Sequence, residues 1–224
     1  AGHSLGEYSA LVAAEAIEFT DGVKLVAERG RLMQEAVPDG EGAMAAILGL
    51  DDDAVIELCR DGSTAGEIAE AVNFNSPGQV VIAGSSVGVE QAMGLAKERG
   101  AKRALPLPVS VPSHSSLMRG AAEKFAATLE EIEIAMPTIP VINNVDVSIE
   151  SDPAAIRAAL ARQLYNPVRW VETIRKMQAD GVESVVECGP GKVLAGLNRR
   201  IEKSMVALPL FDIASLEKAI TANR

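Results

Sequence analysis

Between Glu41 and Ser110 the hydrophobic pattern switches repeatedly between strand and helix periodicity, and this restricts the fold more than any other feature of the chain. Ala43–Leu50 is an apolar run of strand length that stops at three aspartates, and Asp51–Arg60 has helical spacing. Glu67–Asn73 and Gln79–Ala83 read as two strands, and Val87–Arg99 reads as an amphipathic helix ending at Gly100. Lys102–Val109 reads as a strand interrupted by prolines. The order is β-α-β-β-α-β, a split βαβ unit that can close as a small subdomain of its own.

On both sides the alternation is longer. Leu5–Ala16 is Ala-rich and helical, and Thr20-Asp21 caps a second helix to Val37, stopped by Pro38-Asp39-Gly40. Ser115–Ile132 is predicted helical, Pro140–Asn144 a short strand, and Asp152–Gln163 a helix with Pro153 at its first position. Val168–Ala179 follows as a helix, Val182–Glu187 as a buried strand, and Lys192–Lys203 as a last helix. The expectation is an α/β chain: a body with a parallel sheet and helices, made of residues 1–40 and 111–224 and interrupted by a ferredoxin-like subdomain at 41–110. With 224 residues, 48% of them hydrophobic, the chain can bury a core without disulfides or metal. Its formal charge of −10 opposes non-specific contact with nucleic acid or anionic membranes, and 3% aromatics are too few for a base-stacking platform. No apolar run is long enough to span a bilayer, and two cysteines far apart in sequence suit a reduced, cytoplasmic setting without a metal site.

Gly2-His3-Ser4-Leu5-Gly6 fits the nucleophile-elbow pattern, in which glycines allow a sharp turn that exposes a serine at the start of a helix. There the Leu5 N–H can donate to a developing oxyanion. A serine nucleophile needs a base, and the chain has two histidines. His3 adjoins Ser4 and should point away from its hydroxyl on a tight turn. His114 is therefore the candidate base, at a loop-to-helix junction where a helix dipole would help keep the imidazole neutral. Arg29 sits on the shoulder of its helix, beside an apolar face of Val23, Val26, Ala27, Gly30, Met33 and Val37. It needs a carboxylate, which either another residue of the chain or a ligand could supply. Asn73–Gln79 reads as a turn between strands, rich in amide donors. Gly189-Pro190-Gly191-Lys192 lacks P-loop spacing and reads as a structural strand-to-helix turn. Lys97, Arg99, Lys102 and Arg103 form the densest basic patch, either a solvated helix end or a docking surface.

Taken together in their order, these segments resemble the malonyl-CoA:acyl carrier protein transacylases, acyltransferases of fatty acid and polyketide synthesis. The resemblance runs through Gly2–Tyr8, Ala27–Gln34, Asn73–Gly84, Val111–His114, Gln163–Trp170 and Gly189–Leu194. It implies that Ser4 takes a malonyl group from malonyl-CoA and passes it to the phosphopantetheine thiol of acyl carrier protein. It further implies that His114 is the base, oriented by the main-chain carbonyl of Gln163, and that Arg29 grips the malonyl carboxylate. His3, Asn73 and Asn75 would line the site, with a CoA thioester as substrate and no bound cofactor. The basic patch would then meet the acidic carrier protein. The family also has a preceding segment with a Gly-Gln-Gly turn that supplies a second oxyanion donor, so this chain is expected to lack that segment or to receive it as a separate chain. Without it, weak activity or a purely binding role is the expectation. A serine esterase or thioesterase is the same-chemistry alternative and would need an acidic triad member, for which no distinctive candidate stands out.

Overall fold

A computed structural model describes residues 1–222; residues 223 and 224, the end of the expected body, lie outside the described residues. The chain is α/β, and its buried side chains form separate cores.

The first core is helical. Helices α1 (Leu5–Ala13), α2 (Phe19–Glu35), α5 (Arg119–Glu130) and α6 (Pro153–Gln163) enclose Leu11, Leu25, Leu32, Met118, Phe125, Leu129 and Leu160. Asp152 accepts from the Ala155 N–H at 2.8 Å and Pro153 opens α6, so the predicted start of that helix holds. Helix α2 differs from expectation. Its buried face is Gly22, Leu25, Arg29, Leu32 and Met33, whereas Val23, Ala27 and Gly30 are not part of it. Packing against α1 and α5 selects that stripe, which places Arg29 in the middle of the buried face instead of on its shoulder.

The second core belongs to the β-α-β-β-α-β segment. Strands β1 (Gly42–Leu48), β2 (Ala69–Ser76), β3 (Gln79–Ser85) and β4 (Arg103–Pro106) form one sheet in the order β2-β3-β1-β4, with every pairing antiparallel. Helices α3 (Asp52–Gly62) and α4 (Ser86–Glu98) are capped by the side chains of Asp51 and Ser85. They lay Val55, Leu58, Val89, Ala92 and Ala96 against Ala45, Ile47, Val80 and Ile82. Met44, Val72, Val81 and Ala83 form a separate buried cluster. The predicted turn Asn73–Gln79 is in fact mostly strand: β2 runs through Asn75 to Ser76, and only Pro77-Gly78 turns. Register shifts between Ala71 and Asn73 and between Phe74 and Ser76 bend β2. Main-chain bonds from Phe74 N to Val168 O (3.0 Å) and from Val168 N to Val72 O (2.8 Å) tie it to the segment at Val168.

The third core, Trp170, Val171, Ile174, Leu197 and Ile201, lies between α7 (Trp170–Ala179) and α8 (Val193–Ile201). Beside it, β5 (Ser184–Cys188) pairs in parallel with β6 (Val206–Leu210), and α9 (Ile213–Ala222) follows. Among the described residues this is the one parallel pairing between strands, and β5 is half-exposed instead of buried as predicted. Strand β6 and α9 escaped the sequence reading. Pro140–Asn144 is not a strand; a single bridge pairs Ile142 with Ile149, because Asn143 and Asn144 direct their hydrogen bonds to loop and site partners. No helix among the described residues is long and apolar enough to cross a membrane.

Candidate active site

The elbow at Gly2–Gly6 is held by backbone proximity. A Cβ on Gly2 would lie 2.0 Å from the carbonyl carbon and oxygen of Gly6, so only glycine fits there. Ser4 adopts a strained backbone, φ 51° and ψ −109°. Asn144 stabilises this conformation from across the molecule. Its Oδ1 accepts the Ser4 N–H at 2.7 Å, and its Nδ2 donates to Gly2 O at 2.7 Å. Leu5 occupies the first position of α1, where an N–H has no intrahelical acceptor, although its side chain is exposed.

Ser4 Oγ lies 2.8 Å from His114 Nε2, and His114 Nδ1 lies 2.7 Å from the Gln163 carbonyl oxygen. A carbonyl can only accept, so Nδ1 carries the proton and Nε2 is the free base facing the serine hydroxyl. The His114 backbone, at φ 67°, is fixed by a bond from its N–H to Leu164 O at 2.9 Å. Only a single 3₁₀ turn, Ser116–Met118, follows before α5, so the expected helix dipole is not the main reason for a neutral ring. Burial is: it lowers the His114 pKa to about 3, the positive charge of Arg29 pushes in the same direction, and the Gln163 carbonyl opposes both.

Arg29 completes the group. Its Nη2 donates to Ser4 Oγ at 2.9 Å and to Gln163 Oε1 at 3.2 Å, and its guanidinium lies over the Tyr8 ring, 5.6 Å from the centroid. It is buried, takes part in none of the ion pairs among the described residues, and its Nε is buried without a hydrogen-bond partner. The internal ion pair left open by the sequence is therefore not formed.

Other predicted residues fall around this centre. The His3 ring turns away from Ser4, with Nε2 2.8 Å from Asn75 Oδ1 and its centroid 5.5 Å from that of Trp170. The bends in β2 bring Asn75 there, while the Asn73 side-chain oxygen is buried without a hydrogen-bond partner among the described residues. In the basic patch, Arg99 is already paired with Asp61 and, at 3.7 Å, with Glu57, whereas Lys97, Lys102 and Arg103 are exposed.

Sequence reasoning missed Asn144 and Glu7. Glu7 is buried, and its Oε2 accepts from the Asn144 N–H at 2.9 Å and from Gln163 Nε2 at 2.8 Å. Burial raises its carboxyl to about 7, against the pull of those two bonds, the Ala1 amino group and Arg29. Its position one helical turn beyond Ser4 was the available signal; nothing in the sequence pointed to Asn144.

A hydroxyl on a strained turn, bonded to a neutral imidazole that a main-chain carbonyl orients, has the geometry to accept and release an acyl group, and the buried cation beside it has a free N–H to offer an anion. The protein is an acyltransferase. It belongs to the family described as "Acyl transferase domain", which matches residues 1–216. It is 60% identical to the malonyl CoA-acyl carrier protein transacylase of Haemophilus influenzae over 215 residues, which are 96% of this chain and 69% of that protein. The crystal structure of an acyl carrier protein S-malonyltransferase from Vibrio cholerae superposes with a TM-score of 0.94 at 58% identity, covering 97% of this chain and 71% of that one. A malonyl-transacylase in complex with its type II PKS acyl-carrier protein superposes with a TM-score of 0.96 at 55% identity, covering 99% and 71%.

Proposed function

We propose that the protein moves a malonyl group from malonyl-CoA to the phosphopantetheine thiol of an acyl carrier protein through a malonyl-Ser4 ester. The observation that carries this reading is a buried guanidinium with no carboxylate partner among the described residues, bonded to the same oxygen that bonds the imidazole base. Burying a cation without an anion is costly, and the free carboxylate of a malonyl group is the partner that removes the cost.

In the first half, His114 Nε2 takes the Ser4 proton while Oγ attacks the thioester carbonyl. The Leu5 N–H faces the oxyanion, which collapses to expel CoA as its thiol, protonated by His114. In the second half, His114 deprotonates the incoming thiol, whose sulfur attacks the ester, and the proton returns to Ser4. When the malonyl carboxylate pairs with Arg29, the field that holds His114 down is partly cancelled, so the substrate strengthens its own base. His3, Asn75 and Asn73 line the site, and Lys97, Lys102 and Arg103 are the docking charges, with Arg99 weakened by its pairs. The CoA thioester is substrate, no bound cofactor is needed, and the setting is cytoplasmic.

Residues 41–110 are read as a ferredoxin-like subdomain, supported by their strand order, set into a serine-hydrolase-like body of residues 1–40 and 111–224 with a parallel sheet. A main-chain carbonyl behind His114, in the place of a carboxylate, speaks against a Ser-His-acid esterase or thioesterase. The test is intact mass after brief exposure to malonyl-CoA, followed by peptide mapping. One malonyl adduct on Ser4, discharged by holo-acyl carrier protein, is expected; free malonate with no carrier-protein product would refute the reading.

A further inference from the structure

We propose that Glu7 is a positioning residue for acyl selectivity: its buried carboxylate fixes the polarity of the Gln163 amide, which in turn holds Arg29 over Ser4. The proposal rests on the reading that Arg29 takes the substrate carboxylate. Glu7 is 2% exposed, and the ion pairs among the described residues do not include it. Such a carboxylate is a poor choice for filling space.

What it does have is a chemical sign. Once ionised, above the value of about 7 to which burial raises it, the carboxylate only accepts, so the Gln163 side chain must turn its Nε2 toward Glu7, and it does so at 2.8 Å. The other end of the same amide, Oε1, then faces the opposite way and accepts from Arg29 Nη2 at 3.2 Å. A guanidinium only donates. The amide thus links an acceptor-only group to a donor-only group, and its two ends cannot be exchanged without setting like against like at both. Nε2 also donates to Ser4 O at 3.1 Å, so with glutamine at position 7 only that longer bond and Arg29 itself would oppose a flip that turns the NH₂ against the guanidinium. The same carboxylate oxygen accepts from the Asn144 N–H, and Asn144 holds Ser4 N–H and Gly2 O. One buried charge therefore aligns the anion grip and the nucleophile turn together.

The experiment compares malonyl and acetyl loading of Ser4 at pH 8, where the Glu7 carboxyl is ionised, by the natural protein and its Glu7→Gln, Glu7→Asp and Arg29→Ala variants, measured as kcat and KM. Glu7→Gln is expected to lower the malonyl-to-acetyl ratio of kcat/KM about tenfold, mainly through the malonyl KM, because charge-assisted bonds are about twice as strong as neutral ones. Glu7→Asp, which keeps an acceptor-only group, should recover part of the ratio. Equal losses for both acyl groups in Glu7→Gln, or no loss, overturn the proposal while Arg29→Ala remains selective. Equal losses in Arg29→Ala overturn the Arg29 reading and the proposal with it. If Glu7→Gln gives no cooperative melt, Gln163→Met decides instead, since it removes the linking amide but keeps the carbonyl that orients His114. It should show the same selective loss, and a uniform loss overturns the proposal.

Discussion

Replacing Asn144 with alanine tests whether the nucleophile turn is held from outside its own segment. The side chain is fully buried and bridges Ser4 N–H and Gly2 O, both at 2.7 Å. Removing it strands one main-chain donor and one main-chain acceptor at about 1–3 kcal/mol each, so the loss should fall near ~4 kcal/mol, or about 8–16 °C in a domain of this size. The kinetic effect should be larger. Ser4 sits at φ 51°, and without its clamp the turn relaxes and moves Oγ from His114 Nε2. A displacement of about 1 Å costs on the order of a hundredfold in rate. Thermal melting by circular dichroism and the initial rate of Ser4 malonylation measure the two effects separately. Asn143→Ala is the control, because the Asn143 side chain bonds Ser148, Glu150 and Asp146 in its own loop. It should melt earlier without slowing Ser4 in proportion. Loading by Asn144→Ala within about twofold of the parent, or an equal slowing by Asn143→Ala, would refute the clamp.

Three further outcomes are expected. Arg29→Ala should depress malonyl loading far more than acetyl loading, with about 2–5 kcal/mol lost from the charge-assisted contact, and equal losses in parallel loading assays would reject the assignment. Gly2→Ala should destabilise by about 1–3 kcal/mol and abolish loading, since its Cβ would meet the Gly6 backbone at 2.0 Å; parent-like adduct yield by mass spectrometry would count against the elbow geometry. The third concerns pH. Burial holds the Glu7 carboxyl at about 7 when folded, against 4.5 for a solvated glutamate, so its contribution to stability is complete below pH 4.5 and is lost as pH rises toward 7. His114 works in the opposite sense, contributing fully above 6.5 and losing ground as pH falls toward 3. Glu7→Gln removes only the first slope, so relative to the parent it should gain about 1.4 kcal/mol per pH unit between 4.5 and 7, read from melts across that range. A pH-independent difference between the two proteins would show that Glu7 ionises normally.

Much of this protein is written in short-range pattern. The start of α6 at Pro153, the β-α-β-β-α-β order and the Gly-His-Ser-Leu-Gly turn each depend on neighbours within a few residues, and each was legible from the chain, whereas the cap expected at Thr20-Asp21 lies inside α2, which starts at Phe19. The pairing of His114 with Ser4 needed elimination and resemblance, because 110 residues separate them. Where partners came from elsewhere, periodicity misled. Helix α2 offers two plausible stripes, and only packing against α1 and α5 chose the one that buries Arg29. Asn73 and Asn75 look like turn residues until β2 is drawn into the sheet beside β3, and Pro140–Asn144 looks like a strand until Asn144 is drawn to Ser4 and Gly2. Glu7 is the clearest case. In sequence it is one more charge on the first turn of a helix, where solvation is the ordinary fate. Only the tertiary fold removes the water around it, and that places its carboxylate against an N–H and an amide from segments 137 and 156 residues away. The sequence determined which groups can donate and accept; the fold decided which of them had no partner left but each other.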